Sequence, residues 1–127
     1  MATRHRVFVY GTLMKGEHHH EVLKEASFVG LGETEASFDL VQIDYYPALL
    51  SQGSTRVIGE VYEVDDAMLA KLDELEEVPD YYVRELVRLS DGSEAHVYVM
   101  PRDRATGAEP IPSGYFRMRT APPKKPR

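Results

Sequence analysis

Between Val7 and Met100 the chain is written largely in short β-branched and aromatic segments, most of them closed by Gly, Pro or Asp, and only once does the period become clearly helical. Val7-Phe8-Val9-Tyr10 is the first such run and ends at Gly11, the pattern of a central strand buried on both faces and closed by a turn. Phe28 to Thr34, Phe38 to Ile43, Val57 to Val64, Tyr82 to Leu89 and Ala95 to Met100 read as five more strands. The Asp91-Gly92 pair between the last two predicts a tight hairpin with two positive φ angles, and so antiparallel pairing. Asp65 or Asp66 caps a helix that starts at about Ala67, carries Met68, Leu69, Leu72 and Leu75, and stops before Pro79. A helical turn is weakly signalled from His18 to Lys24, and Pro101 to Pro112 reads as a loop. Six strands and one good helix predict an α+β fold, a small mixed, mostly antiparallel β-barrel or strongly curved sheet carrying the helix.

At 127 residues the chain has the size of one compact domain. We read 1–119 as that domain and 120–127, with its prolines and Lys124-Lys125-Pro126-Arg127, as a flexible basic tail. The formal charge of −6 argues against nucleic acid or an anionic membrane surface as partner. The absence of cysteine excludes disulfides and thiolate chemistry and fits a cytoplasmic location. The apolar run before Gly11 is too short for a signal-peptide core, and no spanning segment follows.

The stretch Asp73-Glu74-Leu75-Glu76-Glu77 places four carboxylates near the helix end. At about 100° per residue Glu76 falls roughly 50° from the centre of the apolar stripe, Asp73 roughly 110°, and Glu74 and Glu77 about 150°. Glu76 is therefore the acid directed inward, where burial and like charges raise its pKa toward neutrality, as a proton-transfer group needs. A second account of the same geometry remains open: Glu76 pairs with Arg84 or with a tyrosine hydroxyl at the helix end.

Two motifs bear on that choice. Tyr10-Gly11-Thr12-Leu13-Met14-Lys15-Gly16 follows the first strand, and Leu72-Asp73-Glu74-Leu75-Glu76-Glu77-Val78-Pro79-Asp80-Tyr81-Tyr82-Val83-Arg84 ends the helix. Their order and context resemble the γ-glutamylcyclotransferase-like (AIG2-like) family over residues 7 to about 116, with softer matches at Tyr46-Pro47-Ala48, Tyr98 and Ser113-Gly114-Tyr115. Glu77 departs from the pattern, standing where that family has glycine.

The resemblance implies a small mixed-sheet barrel and an enzyme that cleaves the γ-amide by cyclisation, releasing 5-oxoproline and a free amine without metal or organic cofactor. It implies Glu76 as general acid/base. Gly11, Thr12 and Leu13 become a nest of N–H groups for a carboxylate or an oxyanion, with Tyr10, Tyr82 and Tyr115 as pocket walls. The compact length is similar to the γ-glutamylamine type, which points to a γ-glutamyl-amine such as γ-glutamyl-ε-lysine. Alternatives are deprotection of a γ-glutamylated biosynthetic intermediate and a non-catalytic module that binds a small ligand through the same turn. His18-His19-His20 does not make a metal site, because consecutive side chains point in different directions.

Overall fold

The computed structural model describes residues 4–17, 19–43 and 46–118. The expected tail and His18 lie outside them. The elements are β1 (Arg4–Val9), β2 (Ser27–Glu33), β3 (Phe38–Ile43), β4 (Tyr46–Ser51), β5 (Ile58–Asp65), α1 (Asp66–Leu75), β6 (Val83–Arg88), β7 (Glu94–Val99) and β8 (Glu109–Pro110). The short turn read from His18 to Lys24 is a 3-10 turn over His20–Leu23.

All eight strands share one mixed sheet in the order β2-β5-β1-β7-β4-β3-β8, with β6 on the other edge of β7. β1 is central, antiparallel to β5 and parallel to β7. The sheet curls on itself: Thr34 bridges Leu89, and the Ser90 N–H donates to the Glu33 carbonyl, which brings the end of β2 against the end of β6. The result is a half-barrel in which α1, the one α-helix among the described residues, packs on β5 and β1. Among the described residues no helix is long and apolar enough to cross a membrane.

Three local expectations are corrected. β4 was not among the expected strands, and it carries Pro47 within it, a residue that sheets confine to edges and bulges. It is tolerated because β4 pairs with β3 along its length but meets β7 only at Leu49↔Val99, so Pro47 faces no second strand. The loop from Pro101 to Pro112 holds a 3-10 turn and the two-residue β8, paired with Val41 and Gln42. The hairpin between β6 and β7 is antiparallel as expected, but only Gly92 has a positive φ. Asp91 instead accepts from the N–H (2.9 Å) and the hydroxyl (2.6 Å) of Ser93, a side-chain turn that does the work of a second strained residue.

β7 positions the site. One of its edges carries β6 throughout, and the other is shared, β1 parallel at Val7↔His96 and β4 parallel at Leu49↔Val99. Between these two contacts the sheet splits. Tyr10, the residue after β1, fills the split: its hydroxyl donates to the Tyr98 carbonyl at 2.6 Å and accepts from the Leu49 N–H at 3.2 Å. The side chain thus supplies hydrogen bonds that a backbone ladder would otherwise make.

Candidate active site

A cavity of about 260 Å³ opens where the sheet splits. It is lined by the end of β1 and the turn from Tyr10 to Leu13, by Tyr46 and Pro47, by Leu75 to Glu77 at the helix end, and by Tyr81, Tyr82 and Tyr98.

α1 begins where Asp65 accepts the Met68 N–H at 2.8 Å, an N-cap as expected. Leu69 and Leu72 are buried, whereas Leu75, expected in the apolar stripe, is 42% exposed at the cavity rim. With Leu75 removed, Met68, Leu69 and Leu72 remain against the core, and Glu76 lies about 35° from the centre of that stripe rather than 50°. The helix presents a carboxylate where a third core leucine would sit. Glu76 is the C-cap, its N–H donating to the Leu72 carbonyl at 2.9 Å.

Burial raises the Glu76 carboxyl pKa from 4.5 to about 7. Among the described residues its side chain forms no hydrogen bond and no ion pair. The pairing with Arg84 does not occur, because Arg84 is taken by Asp73: Nε donates to one carboxylate oxygen at 2.8 Å and Nη2 to the other at 3.2 Å. Asp73, expected to lie away from the core, is only 27% exposed. It also accepts from the Tyr98 hydroxyl at 2.8 Å, which ties the helix to β7. Arg84 Nη1 donates to His96 Nδ1 at 3.1 Å, and burial followed by that guanidinium lowers the His96 pKa, so the imidazole stays a neutral acceptor.

Glu77 has φ +53°, the left-handed conformation that favours glycine. The departure noted in the sequence is accommodated by strain, at a cost of about 1 kcal/mol for a residue with a Cβ. The helix therefore ends where a glycine would end it, and Glu77 lines the cavity with its side chain exposed.

Opposite the helix end, Gly11 has a reason to be glycine. A Cβ there would stand 2.1 Å from Pro47 Cγ, so the close approach it permits is to the start of β4. The N–H groups of Gly11, Thr12 and Leu13 make no hydrogen bond to another described residue, while the carbonyls of all three are engaged by Met14 N–H (3.0 Å), His19 N–H (2.7 Å) and His20 Nδ1 (2.9 Å) respectively. The turn is braced through its acceptors and leaves its donors unused. His19 also shares a hydrogen bond with the Thr12 hydroxyl at 3.2 Å.

The expected site residues are thus largely brought together: Tyr10, Gly11, Thr12, Leu13, Glu76 and Tyr82 all line the cavity. Tyr115 does not; it follows Gly114 beside Ile58, with its hydroxyl 3.5 Å from Arg117. Tyr10 and Tyr82 are wall residues whose hydroxyls are already spent, Tyr82 donating to the Pro47 carbonyl at 2.9 Å. Burial, and then the nearby charge of Glu76, hold the Tyr82 hydroxyl pKa well above the ordinary tyrosine value. Tyr46, Tyr81, Tyr98 and His19 complete the lining without having been assigned to it from sequence, and the hydroxyls of Tyr46 and Tyr81 are hydrogen-bonded to each other. The Tyr46-Pro47 and Tyr98 matches were the available signal.

Comparison with known proteins agrees with this arrangement. The sequence model of the family described as "Gamma-glutamyl cyclotransferase, AIG2-like" matches residues 7–118. A Drosophila melanogaster protein named as a candidate γ-glutamylcyclotransferase is 52% identical over 89 residues, 63% of this chain and 57% of its own length, so the chain spans little more than half of it. The human γ-glutamylaminecyclotransferase is 39% identical over 116 residues, 84% of this chain and 70% of that one. Among solved structures, an AIG2-like protein from Mus musculus superposes with a TM-score of 0.77 at 29% identity, covering 98% of this chain and 99% of that one.

Proposed function

Because the chain belongs to the AIG2-like γ-glutamyl cyclotransferase family, we propose that it releases 5-oxoproline and a free amine from a γ-glutamyl-amine, with Glu76 moving the proton. The observation that carries this reading is a carboxyl with no hydrogen-bonding partner among the described residues, held near pKa 7 by burial. It shares a cavity with the unused N–H groups of Gly11, Thr12 and Leu13.

The chemistry needs little else. The α-ammonium of a γ-glutamyl group must lose a proton before it can attack, and an acid of pKa about 7 is ionised often enough at neutral pH to accept it. The freed amine attacks the γ-carbonyl and closes a five-membered ring, an intramolecular step with a high effective molarity. The bond to the leaving nitrogen then breaks as Glu76 returns its proton to that nitrogen, and the ring nitrogen gives its second proton to the departing amine, which leaves as an ammonium. The turn N–H groups take the α-carboxylate or the developing oxyanion. The buried tyrosines hold the shape of the cavity, their own protons being committed to Tyr98 O, Pro47 O and Asp73. At about 260 Å³ the space is near the lower end of ligand pockets, which start at about 300 Å³, and suits one γ-glutamyl group better than a peptide. We place this activity in the cytoplasm.

The test is 5-oxoproline release from γ-glutamyl-amines, γ-glutamyl-amino acids and glutathione. Glu76→Gln should lose at least 10²-fold in kcat while staying folded, and Glu74→Gln, whose side chain is exposed outside the cavity, should stay within a few-fold. Turnover that survives in Glu76→Gln removes the residue from the mechanism. A folded protein that binds these compounds and turns over none is a binding module.

A further inference from the structure

Glu77 is not used by the mechanism above, yet it lines the same cavity as Glu76 and its side chain is exposed there rather than packed. Its backbone is fully committed, the N–H donating to the Glu74 carbonyl at 3.1 Å and the carbonyl accepting from the Tyr81 N–H at 2.8 Å. Its carboxylate forms no hydrogen bond or ion pair with another described residue. At φ +53° it occupies a conformation that a residue without a side chain adopts more easily, so the chain keeps an acid at the cavity where a glycine would suit the backbone better.

The charge of the lining is one-sided. Among the described residues it holds two carboxylates, Glu76 and Glu77, one imidazole, His19, and neither lysine nor arginine. The guanidinium of Arg104 rests 5.9 Å from the ring centroid of Tyr81, that of Arg84 is held by Asp73, and neither residue is in the lining. If the turn from Gly11 to Leu13 takes the α-carboxylate of the glutamyl group, a second carboxylate on the leaving group has no cation to meet in the cavity. A positive charge has both Glu77 and the rings of Tyr46 and Tyr81 beside it, and aromatic faces attract cations as well as alkyl chains.

We propose that Glu77 is a specificity-determining residue that selects a leaving amine bearing a second, positively charged nitrogen, as in the γ-glutamyl amide of an alkyl diamine. This rests on the cyclotransferase reading of the cavity. The remote ammonium pairs with Glu77 while the amide nitrogen lies at Glu76. Leaving groups that end in a carboxylate, as amino acids do, are disfavoured.

The experiment compares γ-glutamyl-1,4-diaminobutane with γ-glutamylpentylamide, which replaces the ammonium by a methyl group, and adds γ-glutamyl-ε-lysine and γ-glutamylalanine. Affinities are measured by calorimetry in Glu76→Gln, and kcat/KM in the active enzyme. The expected order is diamine, then ε-lysine, then pentyl and alanyl amides. A preference of roughly fivefold or more for the diamine over the pentyl amide is expected, shrinking with added salt. Adding Glu77→Gln should bring that ratio to within twofold, whereas Glu74→Gln, which removes the same charge outside the cavity, should leave the ratio unchanged. Equal affinities for the diamine and pentyl amides overturn the assignment, and so does a loss in Glu77→Gln that is the same for both, because Glu77 would then hold the glutamyl half. If no amide is turned over but the affinities still follow the expected order, the cyclotransferase reading fails and the role of Glu77 stands.

Discussion

At the scale of single residues, the behaviour of Glu76 follows from its being largely buried with no hydrogen-bonding partner among the described residues. Its carboxyl has a pKa of about 7 in the folded protein against an ordinary 4.5, so between those values the folded chain binds more protons than the unfolded one. Stability therefore falls as pH rises through that window; the penalty is complete above about pH 7 and absent below about 4.5. Glu76→Gln removes the penalty. Its stability relative to wild type should grow by on the order of 2 kcal/mol between about pH 4 and pH 8, read by urea unfolding at both values. A constant difference would mean that Glu76 titrates normally. If Glu76 is the base, as proposed, kcat/KM should fall roughly tenfold per pH unit well below 7, since only the ionised form would accept the proton. This residue was legible because helix period alone turns it inward. Tyr46, Tyr81 and Tyr98 were not, because the face a strand tyrosine presents depends on which neighbours the sheet supplies.

At the scale of elements, the decisive feature is the split of the sheet along β7, and Tyr10 is its bolt. Tyr10→Phe keeps the ring and removes the hydroxyl, leaving the Tyr98 carbonyl and the Leu49 N–H without that partner in a buried setting. The expected cost is about 1–3 kcal/mol in a denaturation experiment, with kcat falling as well because Tyr98 and the turn at Gly11 both line the cavity. A loss of activity with unchanged stability would instead make the hydroxyl a substrate contact. Most elements were readable: β3 falls on the expected residues, β2, β5, β6 and β7 lie within one or two of them, and α1 starts at the expected cap. What escaped depended on distant context. Pro47 hid β4 because a proline says nothing of whether its open edge will face a strand or a cavity. Leu75 looked like core because helix period puts it beside Leu72, but the structure leaves it at the cavity rim. Asp73 looked solvated because Arg84 and Tyr98, which hold it, arrive from β6 and β7.

At the scale of the whole molecule, the end of the described chain reaches back to the turn that follows β1. Arg117 donates to Glu17 at 3.1 Å and to the Lys15 carbonyl, and lies 3.9 Å from Glu60. Glu60 is 5% exposed on β5, and its carboxylate accepts from the Lys15 N–H at 2.8 Å and from the Tyr62 hydroxyl at 2.9 Å. One guanidinium thus neutralises a buried acid and clamps residues 15 and 17, immediately after the unused N–H groups of Gly11 to Leu13. Arg117→Ala leaves Glu60 buried beside two donors but no cation, and should cost roughly 1–2 kcal/mol. If the clamp also orders the anchor turn, KM for a γ-glutamyl substrate should rise severalfold while kcat changes less, because Glu76 is held from the helix side of the cavity. Arg117→Lys should restore part of the stability through its charge, but less of the KM, because an ammonium cannot reach the Lys15 carbonyl and Glu17 with the geometry of a planar fork. Unfolding and steady-state kinetics on the two variants separate these effects: a KM unchanged in Arg117→Ala would confine the clamp to stability, and an unchanged unfolding midpoint would show that Glu60 does not need the cation.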